Sequence, residues 1–326
     1  MKRFNQLLLI CLAIVILAAC GGQKSAGLQD DAVAPDTTLF ENGMEFLRKN
    51  QYIKARLSFQ TLINTYPDSE YTPASFLAMA DSYYAEGGTE SLLQAEAQYK
   101  DFLIFYPTHE MADDAQLKIA AINVRLMKPH DRDPTYARKA KNELERFLRN
   151  FPDSELAPYA EEVLWEVNET LARGEHEVAE FYYQRSSYVA AEFRYKGVLE
   201  DFPTFSMKDQ TLYRLGRSLE EIGRVEEASV YYAQLAAEYP FSQYYGSATE
   251  KLILLEKDIP PVDEQRAALN EANRRDESFS VFDPIRSVWQ VFAGRPDIYE
   301  IARRRADERR GGDSELPPID ESNRDQ

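Results

Sequence analysis

The chain has 326 residues, with 38 basic and 55 acidic side chains and a formal net charge of −17 at neutral pH. Such an acidic surface argues against binding to nucleic acid and against broad adhesion to anionic lipid headgroups. The charge also has a simpler interpretation, which is solubility in a crowded compartment, and this is the one we favour.

The amino terminus has the pattern of a secretory signal that ends at a lipid attachment site. A basic start and an apolar run shorter than the ~20 residues of a membrane span precede the segment LAAC, which ends at Cys20. LAAC resembles a bacterial lipobox, in which the cysteine becomes the first mature residue and carries a diacylglycerol thioether and an amide-linked acyl group. The alternative is an ordinary signal with a chance cysteine. We predict a signal peptide over 1–19 and a lipidated flexible tether over 20–36.

The other cysteine supports the lipid interpretation. Cys11 lies in the segment that would be removed, so the mature chain would hold one thiol and no internal disulfide. Several acyl chains, at about 0.8 kcal/mol per buried methylene, form a durable anchor. Glycines follow Cys20. An aspartate directly after the cysteine would resemble an inner-membrane retention signal, and this chain has none there. The predicted location is the periplasmic face of the outer membrane, with membrane contact only through the lipid.

Residues 37–257 contain a motif that occurs five times, first as ARLSFQTLINTYPDSE at 55–70. Each copy ends in an aromatic residue followed by proline, with an alanine and two large residues before it at offsets of four, three and four. These offsets place all four on one helical face, and proline ends the helix. The alanines are Ala55, Ala95, Ala140, Ala191 and Ala228. The first large residues are Phe59, Tyr99, Leu144, Tyr195 and Tyr232, and the second are Leu62, Phe102, Phe147, Val198 and Leu235. The aromatics before the prolines are Tyr66, Tyr106, Phe151, Phe202 and Tyr239.

The residues before the first and last copies complete the pattern of a tetratricopeptide repeat (TPR), a helical hairpin of about 34 residues. Gly43 precedes Phe59 by the same interval as Gly216 precedes Tyr232. The longer spacing of the middle copies indicates insertions, and EGGTES at 86–91 and MKPHDRDPT at 127–135 have the composition of loops. The predicted fold is all-α, a TPR-type solenoid of about five helical hairpins with a partly disordered C-terminal extension.

The sequence contains no recognisable active site. Its three histidines are scattered, and no glycine-rich phosphate loop, nucleophile elbow or metal-ligand spacing occurs. The segment DRDP could suggest a cation loop, but Asp133 is better explained as the cap of the next helix, with Pro134 at its start. We therefore predict a protein that is not an enzyme, with no metal site and no cofactor other than the covalent lipid.

Tyrosine is unusually frequent, with 20 copies, and several of them lie outside the repeat positions. Tyr71, Tyr83 and Tyr84 are candidates for binding an unfolded substrate, because aromatic residues on the concave side of a solenoid suit peptide binding. The alternative is packing between helices with the hydroxyl in water.

These elements together resemble the BamD family, the TPR lipoproteins of the outer-membrane β-barrel assembly (BAM) machinery. The most specific segments are 131–155 and 177–204, which carry D-R-D-P, V-A-E-x-Y-Y, Arg-x-x-G and D-F-P at the family's intervals. The resemblance implies a scaffold for barrel insertion that works beside other BAM lipoproteins and receives unfolded outer membrane proteins. It also implies that the C-terminal repeats dock the last POTRA domain of the barrel-forming subunit. Arg194 falls on the arginine that the family uses there.

Residues 258–326 depart from the family pattern, whose members commonly stop near the last repeat. We predict a mixed-charge linker with transient helix, a short amphipathic helix, an arginine-rich segment and a polar tail. The amphipathic helix either caps the last repeat or docks a partner. Its apolar stripe consists of Phe282, Ile285, Val288, Trp289 and Phe292.

Two other functions compete with the scaffold. One is a different TPR lipoprotein of the envelope, such as a secretin pilotin or a coordinator of cell-wall synthesis and division. Pilotin-like arrays tend toward uninterrupted 34-residue units and the division type has a coiled coil before its repeats, and this chain has neither feature. The other is an envelope enzyme with a TPR accessory region, which no catalytic constellation supports.

Overall fold

The computed structural model describes residues 34–273 and 298–309, and within these residues the chain forms thirteen α-helices and no β-strand. Cys20 and the apolar stripe from Phe282 to Phe292 lie outside the described residues. No helix in the described ranges is long and apolar enough to cross a bilayer. The helices are α1 (Pro35–Arg48), α2 (Tyr52–Thr65), α3 (Tyr71–Glu86), α4 (Gly88–Phe105), α5 (Ala112–Leu126), α6 (Thr135–Asn150), α7 (Ala157–Gln184), α8 (Tyr188–Asp201), α9 (Lys208–Glu221), α10 (Val225–Glu238), α11 (Tyr245–Leu254), α12 (Glu264–Asn273) and α13 (Ile298–Arg309).

Helices α1 to α10 pair in chain order into five hairpins, and each hairpin packs against the next. α11 follows on α10 and begins where the first helix of a sixth unit would begin. A helix with one apolar face cannot bury it alone, so stacking gives the array a continuous core. The predicted all-α, TPR-type solenoid of about five repeats is confirmed.

The repeat positions form this core. The alanine and both large residues of all five copies are buried. In the first and last hairpins the glycine of the first helix lies against the ring of the second. A Cβ at Gly43 would lie 2.4 Å from the ring of Phe59, and one at Gly216 would lie 2.5 Å from the ring of Tyr232. Glycine is therefore required where these helices cross.

The aromatic residue before each proline ends its helix in the same way. In all five copies it has φ between −134° and −129°, which is outside the helical region, as expected for a residue that precedes proline. Its N–H still donates to the carbonyl four residues earlier, as from Tyr66 to Leu62 at 2.8 Å. The prolines thus set five identical helix ends, as predicted.

A recurrent hydrogen bond between an aspartate and a serine was not predicted. In three repeats the serine two residues after the proline donates to an aspartate in the first turn of the same repeat's first helix. This bond ties the turn that leads to the next repeat back to its own hairpin. The pairs are Ser69–Asp36, Ser154–Asp113 and Ser242–Asp209, with oxygen–oxygen distances of 2.7, 2.7 and 2.5 Å.

Two of the predicted insertions differ from expectation. The loop predicted over 86–91 is a turn at Gly87 and Gly88, whose φ values of 75° and 78° favour glycine, and α4 begins at once. The widest interval between two repeat prolines is filled by α7, a helix of 28 residues, and no long loop lies within it. The loop predicted over 127–135 is present and ends where α6 begins at Thr135.

The described parts of the C-terminal extension are helical and pack on the array. In place of the predicted linker, α12 lies against α10, where the Asn270 amide donates to the carbonyl of Glu238 at 3.1 Å and Arg266 pairs with the Glu238 carboxylate. α13 contacts α3, near the other end of the chain. Neither contact follows from the repeat pattern, because both helices lie beyond Pro240, the proline of the last repeat.

Candidate protein-docking site

Arg194 lies on the surface of α8, and its guanidinium is held by a carboxylate of the neighbouring helix. Its Nη1 donates to Oε2 of Glu175 at 3.0 Å, and Nη2 of Arg138 donates to Oε1 of the same carboxylate at 3.4 Å. Glu175 on α7 therefore links α6, α7 and α8. The Arg194 side chain is 42% exposed. It follows Phe193, which points to solvent, and precedes Tyr195, which is buried, so its half-exposed position agrees with the helical register.

The loop that carries the DRDP motif packs on α7 beside this ion pair. A Cβ at Gly174 would lie only 2.7 Å from the carbonyl oxygen of His130, so glycine permits the close approach of this loop. Nε2 of His130 lies 2.7 Å from Oε1 of Glu177, one turn along α7. Between the loop and α7 is a cavity of about 490 Å³, whose lining also includes Glu175.

Asp133 in this loop lies one residue before the N-cap position of α6, which is Pro134, but its carboxylate still binds the start of the helix. Its Oδ1 accepts the Thr135 backbone N–H at 3.0 Å and the Thr135 hydroxyl at 2.6 Å. These hydrogen bonds lower the pKa of Asp133 below its ordinary value. The carboxylate therefore binds Thr135, the first residue of α6, as a capping side chain would, although the N-cap position belongs to Pro134.

Exposed apolar side chains surround the ion pair. Phe193 is 75% exposed and Val189, one turn earlier on α8, is 66% exposed. Phe181 and Val178 are exposed on the adjacent face of α7. A shallow depression lined by Tyr182, Val189, Phe193 and Arg194 continues from the cavity beside the loop, since Tyr182 borders both. Apolar side chains around a polar centre are typical of a protein–protein interface.

A buried histidine fixes α7 next to this surface. His176 directly follows Glu175, is 2% exposed, and its Nδ1 lies 3.0 Å from the Thr211 hydroxyl on α9. Burial lowers the pKa of His176 to about 4, so the ring is neutral at physiological pH. Helical periodicity could have identified it as a core residue, because it lies four residues after the buried Ala172 and three before the buried Ala179.

The three tyrosines predicted to bind substrate lie on α3, far along the array from Arg194. Tyr71 and Tyr84 are buried, with 5% and 4% exposure, and the Tyr71 ring stacks on Phe40 at 4.9 Å between centroids. Tyr83 is partly buried beneath the guanidinium of Arg56, 4.1 Å from its ring centre. The structure thus places Tyr71 and Tyr84 in the core, as the packing alternative expects. Their binding role stays a prediction.

Most of the helical array matches known proteins. Residues 32–230 match the model of the YfiO family, which is described as outer membrane lipoprotein. The chain belongs to this family. The matched YfiO region contains α1 to α9, and with them Arg194, Glu175 and the DRDP loop.

Curated relatives carry one name, outer membrane protein assembly factor BamD. The protein of Rickettsia prowazekii is 28% identical over 245 residues, which cover 74% of this chain and 94% of the relative. That of Caulobacter vibrioides is 25% identical over 243 residues, with 73% and 79% covered. That of Xylella fastidiosa strain Temecula1 is 25% identical over 227 residues, with 67% and 76% covered. The resemblance to the BamD family is confirmed.

Proposed function

We propose that this chain is a lipid-anchored scaffold for the assembly of β-barrel proteins into the outer membrane. The observation that carries the proposal is the YfiO match over 32–230, together with relatives that are named outer membrane protein assembly factors. A stacked helical array offers extended surfaces for protein partners, which suits a non-enzymatic role. The partners proposed are the barrel-forming subunit, other BAM lipoproteins and unfolded outer membrane proteins.

Arg194 is the proposed centre of the contact with the barrel-forming subunit, at its last POTRA domain. In the free chain Glu175 already fixes the guanidinium, which reduces the entropy lost when a partner binds. A carboxylate of the partner would accept from the remaining guanidinium N–H groups. Phe193 and Val189 would supply the apolar area around this charged contact.

Replacement of Arg194 tests this contact. Arg194→Ala should weaken association by about 2–5 kcal/mol, largely because the partner's carboxylate is left buried without a partner. Arg194→Lys should not restore it, because a point charge cannot reproduce forked donation. Association is measured by calorimetric titration with the periplasmic part of the barrel subunit, after melting has shown that the variants are folded.

Arg146→Ala is the matched control, since this arginine on α6 is also half-exposed and also pairs with a glutamate, Glu143 at 3.0 Å. Its loss should leave association within about 0.5 kcal/mol of wild type. Wild-type affinity in both Arg194 variants would remove this residue from the interface.

A further inference from the structure

α13 is an amphipathic helix with its narrow apolar face on the array. Ile301, Ala302 and Ala306 are buried and belong to the same apolar cluster as the buried residues of α3. They lie on one side of the helix together with the partly buried Arg305. The exposed side chains described for this helix, Glu300, Arg303 and Arg304, are polar. α13 thus has the form of a short helical ligand seated on α3, a mode of recognition that recurs in peptide-binding proteins.

Two arginines of α13 converge on one carboxylate of the array. Nη2 of Arg304 lies 2.8 Å from Oε2 of Glu110, and Nε of Arg305 lies 3.1 Å from Oε1. Arg305 also borders a cavity of about 580 Å³ whose rim includes Asp68 and Glu70. The helix therefore brings positive charge to an acidic rim beside an apolar floor. We call α3 together with Glu110 the α13 surface.

The contact between α13 and the α13 surface is weak enough to open. Among the residues of α13 whose burial is described, its apolar part is one isoleucine and two alanines, and its ion pairs join side chains that are one third to one half exposed. Exposed ion pairs contribute little and are screened by salt. Residues 274–297 connect α12 to α13, so the helix is tethered to its surface. Tethering raises its effective concentration to about millimolar, which keeps a weak contact occupied.

We propose that α13 is a reversible occupant of the α13 surface, and that its release opens a binding site for an unfolded client segment of the same chemistry. Such a segment has small or apolar residues on one side and adjacent arginines that reach Glu110. The binding of a client segment rests on the proposed function, whereas the reversible binding of α13 to its surface does not. α13 thereby regulates access to the amino-terminal repeats.

The first experiment measures opening by hydrogen exchange on the full chain. Arg304→Glu combined with Arg305→Glu places like charges against Glu110, so exchange in α13 and α3 should accelerate about tenfold or more. Adding Glu110→Arg should restore slow exchange. The control is Arg146→Glu with Arg149→Glu on α6, which changes the net charge equally and should leave α3 and α13 unchanged. Unchanged exchange in the α13 variant, or no rescue, would overturn the occupancy.

The second experiment uses a fluorescent peptide of residues 296–310. It should bind the opened variant at least about tenfold more tightly than wild type, because the tethered helix no longer competes. A urea-denatured outer membrane β-barrel protein should then displace it. Peptide binding without displacement would overturn the client step and leave the occupancy intact.

Failure of the proposed function has a different signature. In that case neither the client nor the barrel subunit would bind any form of the chain, while the peptide and exchange results would still hold.

Discussion

At the scale of single residues, Gly174 decides how closely the DRDP loop approaches α7. Alanine is the better helix former by about 1 kcal/mol. At this position, however, its Cβ would lie 2.7 Å from a backbone oxygen, that of His130, which cannot move without the loop. We expect Gly174→Ala to lower the free energy of unfolding by about 1–3 kcal/mol, measured by urea denaturation.

Gly197 in α8 provides the control for this substitution. A Cβ there would meet no atom of the described residues within 4 Å. Gly197→Ala should therefore stabilise the chain by up to about 1 kcal/mol through helix propensity alone. Equal effects of the two substitutions would contradict the close packing of the loop on α7.

His176 should make the stability depend on pH. Burial lowers the pKa of its imidazole to about 4 in the folded chain, whereas in the unfolded chain it is about 6.5. The unfolded state therefore takes up a proton first as the pH falls. The resulting stability is fully present above pH 6.5 and is lost between 6.5 and about 4. At pH 5 the loss should be about 2 kcal/mol.

His176→Gln isolates this contribution, because the pKa of His109 is also lowered to about 4 by burial and by the nearby Arg305. Both residues titrate in the same window. The difference in unfolding free energy between wild type and the variant should shrink by about 2 kcal/mol from pH 7 to pH 5. A difference that does not change with pH would mean that the pKa of His176 is the same in the folded and the unfolded chain.

The register of residues within each repeat could be predicted because it depends on local periodicity. The buried alanines and large residues and the hydrogen bonds of Asp133 to the start of α6 all follow from spacing or from a neighbouring proline. The aspartate–serine bonds could not be predicted in this way. Ser69 and Asp36, for example, are brought together by the hairpin that separates them in sequence.

At the scale of helices, Ala191 marks where α8 crosses its neighbours. It is fully buried, and the same position is alanine in all five copies. Ala191→Leu should overpack this crossing and lower the free energy of unfolding by about 1–3 kcal/mol.

Glu200→Gln, on the exposed side of the same helix, is the comparison and should remain within about 0.5 kcal/mol of wild type. Both are measured by thermal melting. Comparable melting temperatures would place Ala191 outside the crossing.

The lengths of the helices were harder to predict than which of their faces would be buried. A Gly-Gly pair with two positive φ values allows α3 to turn directly into α4, so the composition of 86–91 overstated the loop. The insertion predicted in the fourth repeat is part of α7, whose sequence contains no proline after the first turn. α12 was predicted only as transient helix in a linker and α13 was not predicted, because their packing depends on α10 and α3.

At the scale of the whole molecule, the lipid on Cys20 is proposed to hold the array at the outer membrane. Cys20→Ala should abolish acylation, and the protein should move to the soluble periplasmic fraction or remain with its signal uncleaved. The measurement is membrane fractionation with mass spectrometry of the amino terminus. Fractionation with outer membranes as tight as that of wild type would mean that lipid is not the main anchor.

The candidate docking site could be predicted only in part. The resemblance to the family identified Arg194, and the register put it at the surface. Glu175, which fixes its guanidinium, lies 19 residues earlier on α7. No motif in the sequence distinguishes this glutamate from its acidic neighbours, because the pairing depends on how α7 and α8 cross. The exposed Phe193 and Val189 likewise become significant only through their position beside the ion pair.

The length of α7 has a consequence for the ion pair that holds Arg194. At 28 residues it is twice as long as α8, α9 or α10. Its two additional heptads rotate the helix to within about 40° of a whole number of turns. Glu175, in the second half of α7, is reached both by Arg138 of α6 and by Arg194 of α8. One residue more or fewer in the first half of α7 would rotate Glu175, which holds Arg194, by about 100° relative to the start of the helix. The number of residues in this helix thus sets the rotational position of the carboxylate that holds Arg194.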